Sequence, residues 1–478
     1  MDAMLKDLEE ASKLLKEHLE EGKAVRIVTH YDADGLSSGA IVHKCLARLG
    51  ASVHTRSVKQ LDEDVATEIF SEDEDTDVML FVDLGSGQVD TIAKLRSSST
   101  PTIILDHHQF KDENEELMHI NPHQYGINGA REISGAGMAY LLAKAMDSRN
   151  MDLSGLAVVG AIGDIQDADG KLIGPNKDIL EDGVKAGVVK VEKDLRLFGR
   201  QTRPLYKALE YTTDPFIPGV SGSESACIQF LNDLDIPVKK GDSFTLLVDL
   251  SESERQRLVT ALILRMIEHK IAPELAESIV GDVYTLVKEK ERTPLRDAKE
   301  YATLLNGCGK HGSNGIGIAV CLGDRGAIYK KSLEMLMKHK GYISTCYTWL
   351  SENLDRIKDM ESLYYFHVGK EIDSNVIGTV ASMVLGSRLL GSIKPVIAFS
   401  ETEEGDIKVS SRGTKELVKD GLNLGKTMGY ASEKLGKADG GGHDIAAGAT
   451  IEKGQEEEFL RYAREEIERQ LNAGESKG

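Results

Sequence analysis

The residues best suited to chemistry stand at the ends of short apolar runs. The run AVRIVTH leads into Thr29-His30-Tyr31-Asp32-Ala33-Asp34-Gly35. In an extended backbone alternate side chains share a face, so His30, Asp32 and Asp34 point the same way, and Gly35 allows the turn into a following helix. VMLFVDLG delivers Asp83 at its carboxyl end, and PTIILDHH delivers Asp106, His107 and His108 at its own. Asp164, in VVGAIGDIQD, follows an apolar run that periodicity assigns to neither helix nor strand. Taken singly, an aspartate at a strand end is commonly a helix cap or turn former, and a His-His pair a packed or surface pair. Independent caps do not explain a set that recurs at the same end of successive strands. Buried unpaired carboxylates cost several kcal/mol each, so this cluster calls for compensating cations, and two divalent ions supply them.

The elements that must carry these residues alternate from Ala24 to Asp106 between apolar runs and amphipathic ones, which is the rhythm of a doubly wound, mainly parallel α/β sheet. In such sheets the ligand crevice lies at the carboxyl ends of the strands. Leu61–Asp77 reads as an acid-rich, solvated connection. Around Thr202–Ser225 proline, glycine and serine accumulate and helical periodicity takes over through Ile279. Gly-rich turns are expected between Val283 and Lys340. Strands at Tyr364–Val368, Lys394–Phe399 and Asp406–Ser410 then make a second, smaller α/β unit. The expected division is 1–195, a catalytic domain; 196–340, a mostly helical middle segment; and 341–478, a substrate-binding domain.

The chain has 478 residues, enough for about three domains, and its 41% hydrophobic and 28% charged residues describe a globular protein and exclude a disordered or fibrous one. No run approaches the ~18 apolar residues of a membrane span and Met1–Lys23 lacks a signal-peptide pattern, so a cytoplasmic location and no membrane partner are expected. Five scattered cysteines, with no CxxC pair, read as reduced core residues. With 58 Lys+Arg against 78 Asp+Glu the net charge is −20, so phosphate chemistry requires bound cations to overturn the repulsion of a polyanion. Gly425-Lys426-Thr427 lacks the first glycine of a Walker A loop, since Asp420 stands there. There is no HExxH, and neither GxSxG nor a Cys/His pairing offers a nucleophile elbow or a thiol mechanism. Arg196, Arg200, Arg203 and Lys207 read as a solvated helix face in preference to a basic track.

These motifs together resemble those of the DHH phosphoesterases. His30-Tyr31-Asp32-Ala33-Asp34-Gly35 is similar to the family's first motif, Asp83 to its second, Asp106-His107-His108 to its third and Asp164 to its fourth. Gly440-Gly441-Gly442-His443 resembles the signature of the associated DHHA1 domain. The wording of NPHQYG, EISGAGMAY and FGRQTRPL is most similar to archaeal RecJ-like nucleases, some of which associate with the replication complex GINS, and which are relatives of a eukaryotic cell-division-cycle helicase component. In the pyrophosphatase and cyclic-dinucleotide branches the first histidine stands four residues before the first aspartate, whereas His30 stands two before Asp32.

The resemblance implies one ion held by Asp32 and Asp83 with His30, and another by Asp34, Asp83, His107 and Asp164. Mixed carboxylate and imidazole ligation favours Mn²⁺, with Mg²⁺ also admitted. His108 would face the scissile phosphate, with Asp106 orienting a histidine. Ser411 and Arg412, with Gly440 to His443, would bind substrate. The implied function is a metal-dependent exonuclease for single-stranded DNA or RNA in replication or repair, with a narrow cleft between two lobes admitting a single strand. The alternatives are a replisome scaffold binding GINS-like partners and a phosphodiesterase for cyclic dinucleotides or short oligonucleotides.

Overall fold

β3 (Val78–Val82) is the unbroken apolar run VMLFV, and the computed structural model shows why. Its Val78, Leu80 and Val82 join one core while Met79 and Phe81 join another on the opposite face. A strand covered on both faces loses the polar alternation of a half-exposed one. The structure describes residues 1–478 apart from 72–77, 98–99, 110–113, 115, 168, 213–214, 387–392, 437–439 and 476–478.

In chain order the first unit begins with α1 (Asp2–Glu20), β1 (Val25–His30), α2 (Ala33–Arg48), β2 (Val53–Val58), α3 (Glu63–Ser71), β3, α4 (Val89–Leu95), β4 (Thr102–Leu105) and β5 (Met118–Ile120). The five strands are parallel in the order β2-β1-β3-β4-β5. α1, α2 and α5 (Gly135–Met146) share the core of one face, and α3 and α4 that of the other. The reversal of strand order falls between β1 and β3, the position where open α/β sheets bind ligands. The acid-rich connection is in part α3, which buries Ala66 and Ile69; residues 72–77 of that stretch lie outside the described residues.

α6 (Ser154–Gly163) and α7 (Pro175–Lys185) lead to β6 (Val189–Leu195). A small module follows, with α8 (Leu205–Glu210), α9 (Glu224–Asp233), the hairpin β7 (Lys239–Lys240) and β8 (Ser243–Phe244), α10 (Glu252–Glu268) and α11 (Pro273–Glu277) around its own core. β9 (Val280–Leu286) then pairs antiparallel with β6, so the module is inserted between two paired strands. Arg196, Arg200, Arg203 and Lys207 do not form the solvated face expected of them. Arg196 donates to Asp167 Oδ2 at 2.6 Å, Arg200 to Asp194 Oδ2 at 2.7 Å and Lys207 to Glu224 Oε2 at 2.6 Å, while Arg203 lies over the rings of Phe198 and Tyr211. Helical periodicity alone does not reveal that carboxylates from outside the run, six to 29 residues away, meet three of these cations.

The glycine-rich stretch 306–324, expected as turns, has turns at Gly312 and Gly323, both with positive φ, but the rest of it is mainly the end of α12 (Ala298–Lys310) and all of α13 (Asn314–Leu322). A Cβ at Gly309 would fall 1.9 Å from the Tyr31 carbonyl oxygen, and one at Gly317 2.7 Å from Leu36. Close approach to Tyr31 and to α2 outweighs the cost of about 1 kcal/mol that glycine imposes in a helix. Tyr301, Leu304, Leu305 and Cys308 of α12 share a core with Leu36 and Ala40 of α2 and Val158 and Ala161 of α6.

The chain divides into two compact units, Met1–Leu336 and Met337–Gly478, with α14 (Ala327–Glu352) running across the division. The second unit contains β10 (Lys358–Asp359), β11 (Tyr364–His367), α15 (Ile377–Gly386), β12 (Val396–Glu401), β13 (Ile407–Arg412), α16 (Lys415–Lys419), α17 (Leu424–Lys434), β14 (Gly441–Gly442), β15 (Ala446–Ile451) and α18 (Glu456–Glu475). Its mixed sheet has the order β10-β11-β12-β13-β15-β14. The molecule is thus an α/β protein with a parallel five-stranded sheet, a helical middle and a second mixed sheet. No helix among the described residues is long and apolar enough to cross a membrane. All five cysteines are buried free thiols, and burial pushes Cys45, Cys227, Cys308 and Cys321 up to about 12.

Candidate metal centre

β1, β3 and β4 are neighbours, so the residues that follow them meet at one edge of the sheet. Asp32 caps α2 by accepting from the Gly35 N–H at 3.0 Å, while its Oδ2 lies 3.0 Å from His30 Nδ1. The ordinary capping role and a ligand role therefore coexist on one carboxylate. Asp83 follows β3 with φ of 61°, a left-handed conformation that aspartate tolerates better than most side chains. Its two oxygens face different ways: Oδ2 lies 3.9 Å from His30 Nδ1, and Oδ1 lies 3.1 Å from His107 Nε2.

Asp34, in the first turn of α2, is buried and held from outside the sheet. Its Oδ2 accepts from the Gly135 N–H at 2.7 Å and its Oδ1 from the Ala136 N–H at 2.9 Å, both at the start of α5. Backbone N–H groups without a partner inside the helix are the natural donors to such a side chain. Asp164 arrives from a helix: it ends α6, and its Oδ2 lies 3.3 Å from His107 Nε2. His107 Nδ1 lies 2.7 Å from the Gly129 carbonyl oxygen, which can only accept, so this nitrogen carries the proton and Nε2 faces Asp34, Asp83 and Asp164. Asp106 Oδ1 accepts from His108 Nδ1 at 2.7 Å and from the His107 N–H at 2.8 Å, and its Oδ2 accepts from the Ser86 N–H at 2.9 Å.

Two sets of donors with metal-ligand spacing result, His30-Asp32-Asp83 and Asp34-His107-Asp164, with Asp83, Asp106, His107 and His108 forming a third overlapping group. The electrostatics agree with a cation site. Burial, together with Asp34, Asp32 and Asp106, holds the Asp83 carboxyl well above the usual carboxylate range, and burial with Asp34 does the same to Asp164. Burial pulls His107 down, but Asp164, Asp34 and Asp106 outweigh it and raise it on balance; His30 is raised by Asp32 in the same way. Asp106, despite burial, is held well below its ordinary value by His108. The cluster thus retains protons where cations would otherwise balance its charge. Asp83 Oδ1 is buried with no hydrogen-bond partner, and hard carboxylate oxygens beside imidazole nitrogens suit Mn²⁺ or Mg²⁺, so the donor set fits divalent cations.

Sequence reading missed the residues that hold this set in place. A Cβ on Gly135 would lie 2.4 Å from Asp83 Oδ1, and one on Gly160 2.3 Å from Asp34 Oδ1. Asn306, in α12, accepts from the Ala33 N–H at 2.9 Å and so caps α2 from a distant segment. The available signal for α5 was Ser134, a capping serine before a run of small residues, whose side chain accepts from Gly137 N–H. Gly135→Ala is expected to displace Asp83, reducing metal affinity and lowering hydrolysis by about 10²-fold, the scale of a misplaced reacting group. Titration calorimetry with Mn²⁺ and single-turnover rates check it.

In the second unit Ser411 is buried, and its hydroxyl donates to the Ala447 carbonyl at 3.1 Å. Arg412 Nη1 donates to the Ser411 carbonyl at 2.7 Å, and a Cβ on Gly378 of α15 would lie 2.3 Å from Nη2. Gly440 and Gly442 are required by packing: a Cβ would meet the Met428 carbonyl oxygen at 2.3 Å and Ala447 Cα at 2.7 Å respectively. Only Gly441 of the three has open space beside it. The His443 N–H donates to the Ala446 carbonyl at 2.9 Å and its carbonyl accepts from Gly425, so the turn is tied to α17.

Comparison with known proteins bears on this arrangement. The family model for the DHH family, N-terminal domain, matches residues 24–163, that for the DHH-CID domain residues 197–280, and that for the DHHA1 domain residues 361–469. The chain belongs to the DHH family. An uncharacterized protein of Methanocaldococcus jannaschii, MJ0831, is 35% identical over 98% of this chain and 99% of its own length. The single-stranded-DNA-specific exonuclease RecJ of Thermus thermophilus is 32% identical over 43% of this chain and 31% of that protein. Two crystal structures share the fold. RecJ from Thermus thermophilus in complex with Mn²⁺ matches with a TM-score of 0.61 at 20% identity, covering 97% of this chain and 55% of that one. CDC45 from Entamoeba histolytica matches with a TM-score of 0.65 at 12% identity, covering 97% and 99%. Membership of the DHH family and the relationship to RecJ support a hydrolase, and divalent cations fit its acidic cluster.

Proposed function

We propose that this DHH protein is a divalent-cation-dependent exonuclease that removes nucleotides from single-stranded DNA or RNA, in replication or repair. The observation that carries the reading is Asp83, whose two oxygens face His30 and His107 separately and so suit it to bridge two cation sites. Asp32 with His30 serves one site, and Asp34, His107 and Asp164 the other. Two divalent cations, Mn²⁺ preferred, would supply the positive charge that neutralises a phosphodiester and activates water. The chain's own residues do the rest. The start of α5 holds the Asp34 carboxylate in place, Gly129 fixes the His107 tautomer, and Asp106 holds the His108 imidazole so that it can donate to a non-bridging phosphate oxygen. Arg412, His443 and the open backbone at Gly441 are assigned to holding the strand, with Ser411 supporting them from within the sheet.

End-labelled single-stranded DNA and RNA, incubated with Mn²⁺, Mg²⁺ or EDTA, test the reading. Stepwise shortening with Mn²⁺ and none with EDTA is expected. Blunt duplex cut as fast as single strand would defeat it, and hydrolysis of dinucleotides in preference to long strands would favour a small-substrate phosphodiesterase.

The full-length match to CDC45 favours a second reading, a replication scaffold that binds GINS-like partners whatever its catalysis. The two separate in one experiment: partner capture by a variant that has lost Asp83 supports the scaffold role, and loss of capture together with activity does not.

A further inference from the structure

Asn121 lies directly after β5, at the sheet edge that carries the metal centre, and is completely buried. Every polar atom it has is used. Its N–H donates to Gln124 Oε1 at 2.9 Å, its carbonyl accepts from Gln124 N–H at 3.0 Å, and Oδ1 accepts from His123 N–H at 3.0 Å, which caps the turn Pro122–Tyr125. Nδ2 points the other way and donates twice, to Ser86 Oγ at 2.9 Å and to the His108 carbonyl at 2.9 Å. Ser86, from the loop after β3, also contacts His119 Nε2 at 2.8 Å through its hydroxyl and donates its N–H to Asp106 at 2.9 Å. One amide therefore ties together the loops that follow β3, β4 and β5.

The two ends of this side chain do separate jobs. Oδ1 serves a local turn that any good cap could serve. Nδ2 reaches the main chain of His108 on one side and, through Ser86, the carboxylate that holds His108 Nδ1 on the other. A buried polar group with both hydrogens committed to two loops of a site fixes their separation, because releasing either leaves an unsatisfied donor.

We infer that Asn121 is a positioning residue for His108, setting the angle of its imidazole through the His108 carbonyl and the Ser86–Asp106 contact. The inference rests on the proposed role of His108 against substrate phosphate. Asn121→Asp separates the two jobs, since it keeps the oxygen that caps the turn and removes both donors. It is expected to lower kcat by about 10–100-fold, the usual scale for groups that orient a site residue, with KM unchanged. In a His108→Ala background the same substitution should cost nothing further, because its effect passes through that imidazole. A cost equal in both backgrounds, or wild-type kcat, would overturn the assignment. If the variant does not fold, Ser86→Ala removes one of the two acceptors and makes the same test.

A readout free of activity keeps the two claims apart. In imidazole ¹H–¹⁵N spectra the His108 Nδ1–H signal, hydrogen-bonded to Asp106, should be lost or broadened by Asn121→Asp. An unchanged signal refutes the positioning role even if strands are cleaved. Loss of the signal in a protein whose wild type cleaves no strand upholds the positioning role and refutes the nuclease reading.

Discussion

Asp83→Asn is expected to lower strand hydrolysis by more than about 10³-fold, the scale of removing one member of a group that acts as a unit, while leaving the metal-free protein at least as stable as wild type at neutral pH. Both halves come from the same carboxylate. Its oxygens face the two donor sets, so a neutral amide weakens both sites together. Burial among Asp34, Asp32 and Asp106 holds its ionisation well above the usual range, so ionised Asp83 destabilises the folded state above that range. Asparagine cannot ionise and tolerates the left-handed φ of 61° that this position requires. Asp83→Ala should abolish hydrolysis too, with an added backbone strain of roughly 1–2 kcal/mol. Gel assays with Mn²⁺ and thermal denaturation in EDTA test the pair of claims. A tenth of wild-type activity remaining would count against the bridging assignment.

Stabilisation by Mn²⁺ should grow as pH rises. In the metal-free protein Asp83 and Asp164 have raised ionisation, so the folded state holds protons that the unfolded chain has released, and stability falls as pH climbs from the ordinary carboxylate range through their raised values. His107 and His30 are also raised, so the stability that their protonated forms contribute is fully present below about 6.5 and is lost as pH passes their folded values. Asp106 and Asp32 are lowered and act in the opposite sense, losing their contribution only in acid. Cations replace the protons, so their effect is small in acid and large at neutral to alkaline pH. At a hundredfold excess over Kd one site adds about 2.7 kcal/mol. Thermal denaturation across the pH range, with EDTA or Mn²⁺, reads this directly. A shift independent of pH, or none, would remove the metal centre.

Much of the sheet and most of the candidate ligands were legible because both follow local rules. VMLFV and TIIL are continuous apolar runs, which is what a parallel strand covered on both faces requires, and the first polar residue after each run marks the carboxyl end of the strand. Asp83 and Asp106 were found in this way. Gly312 and Gly323 do make turns, but Gly309 and Gly317 misled because turn propensity is local, whereas they are glycines on account of what packs against them. Arg196 and Arg200 misled for a related reason, since the chain turns so that Asp167, 29 residues earlier, meets the first and Asp194, at the end of β6, the second.

By itself the sequence determined which residue types stand at the ends of which strands, since the order of apolar runs and polar stops is written along the chain. Tertiary structure decided how those residues are held. Asp164 reaches the site from a helix end, Asp34 is gripped by the start of α5, and Asn306 caps α2 from 273 positions further along the chain than Ala33. Such contacts depend on how closely helices approach the sheet, and that distance is set by small residues such as Gly135 and Gly160 that leave no trace in hydrophobic periodicity.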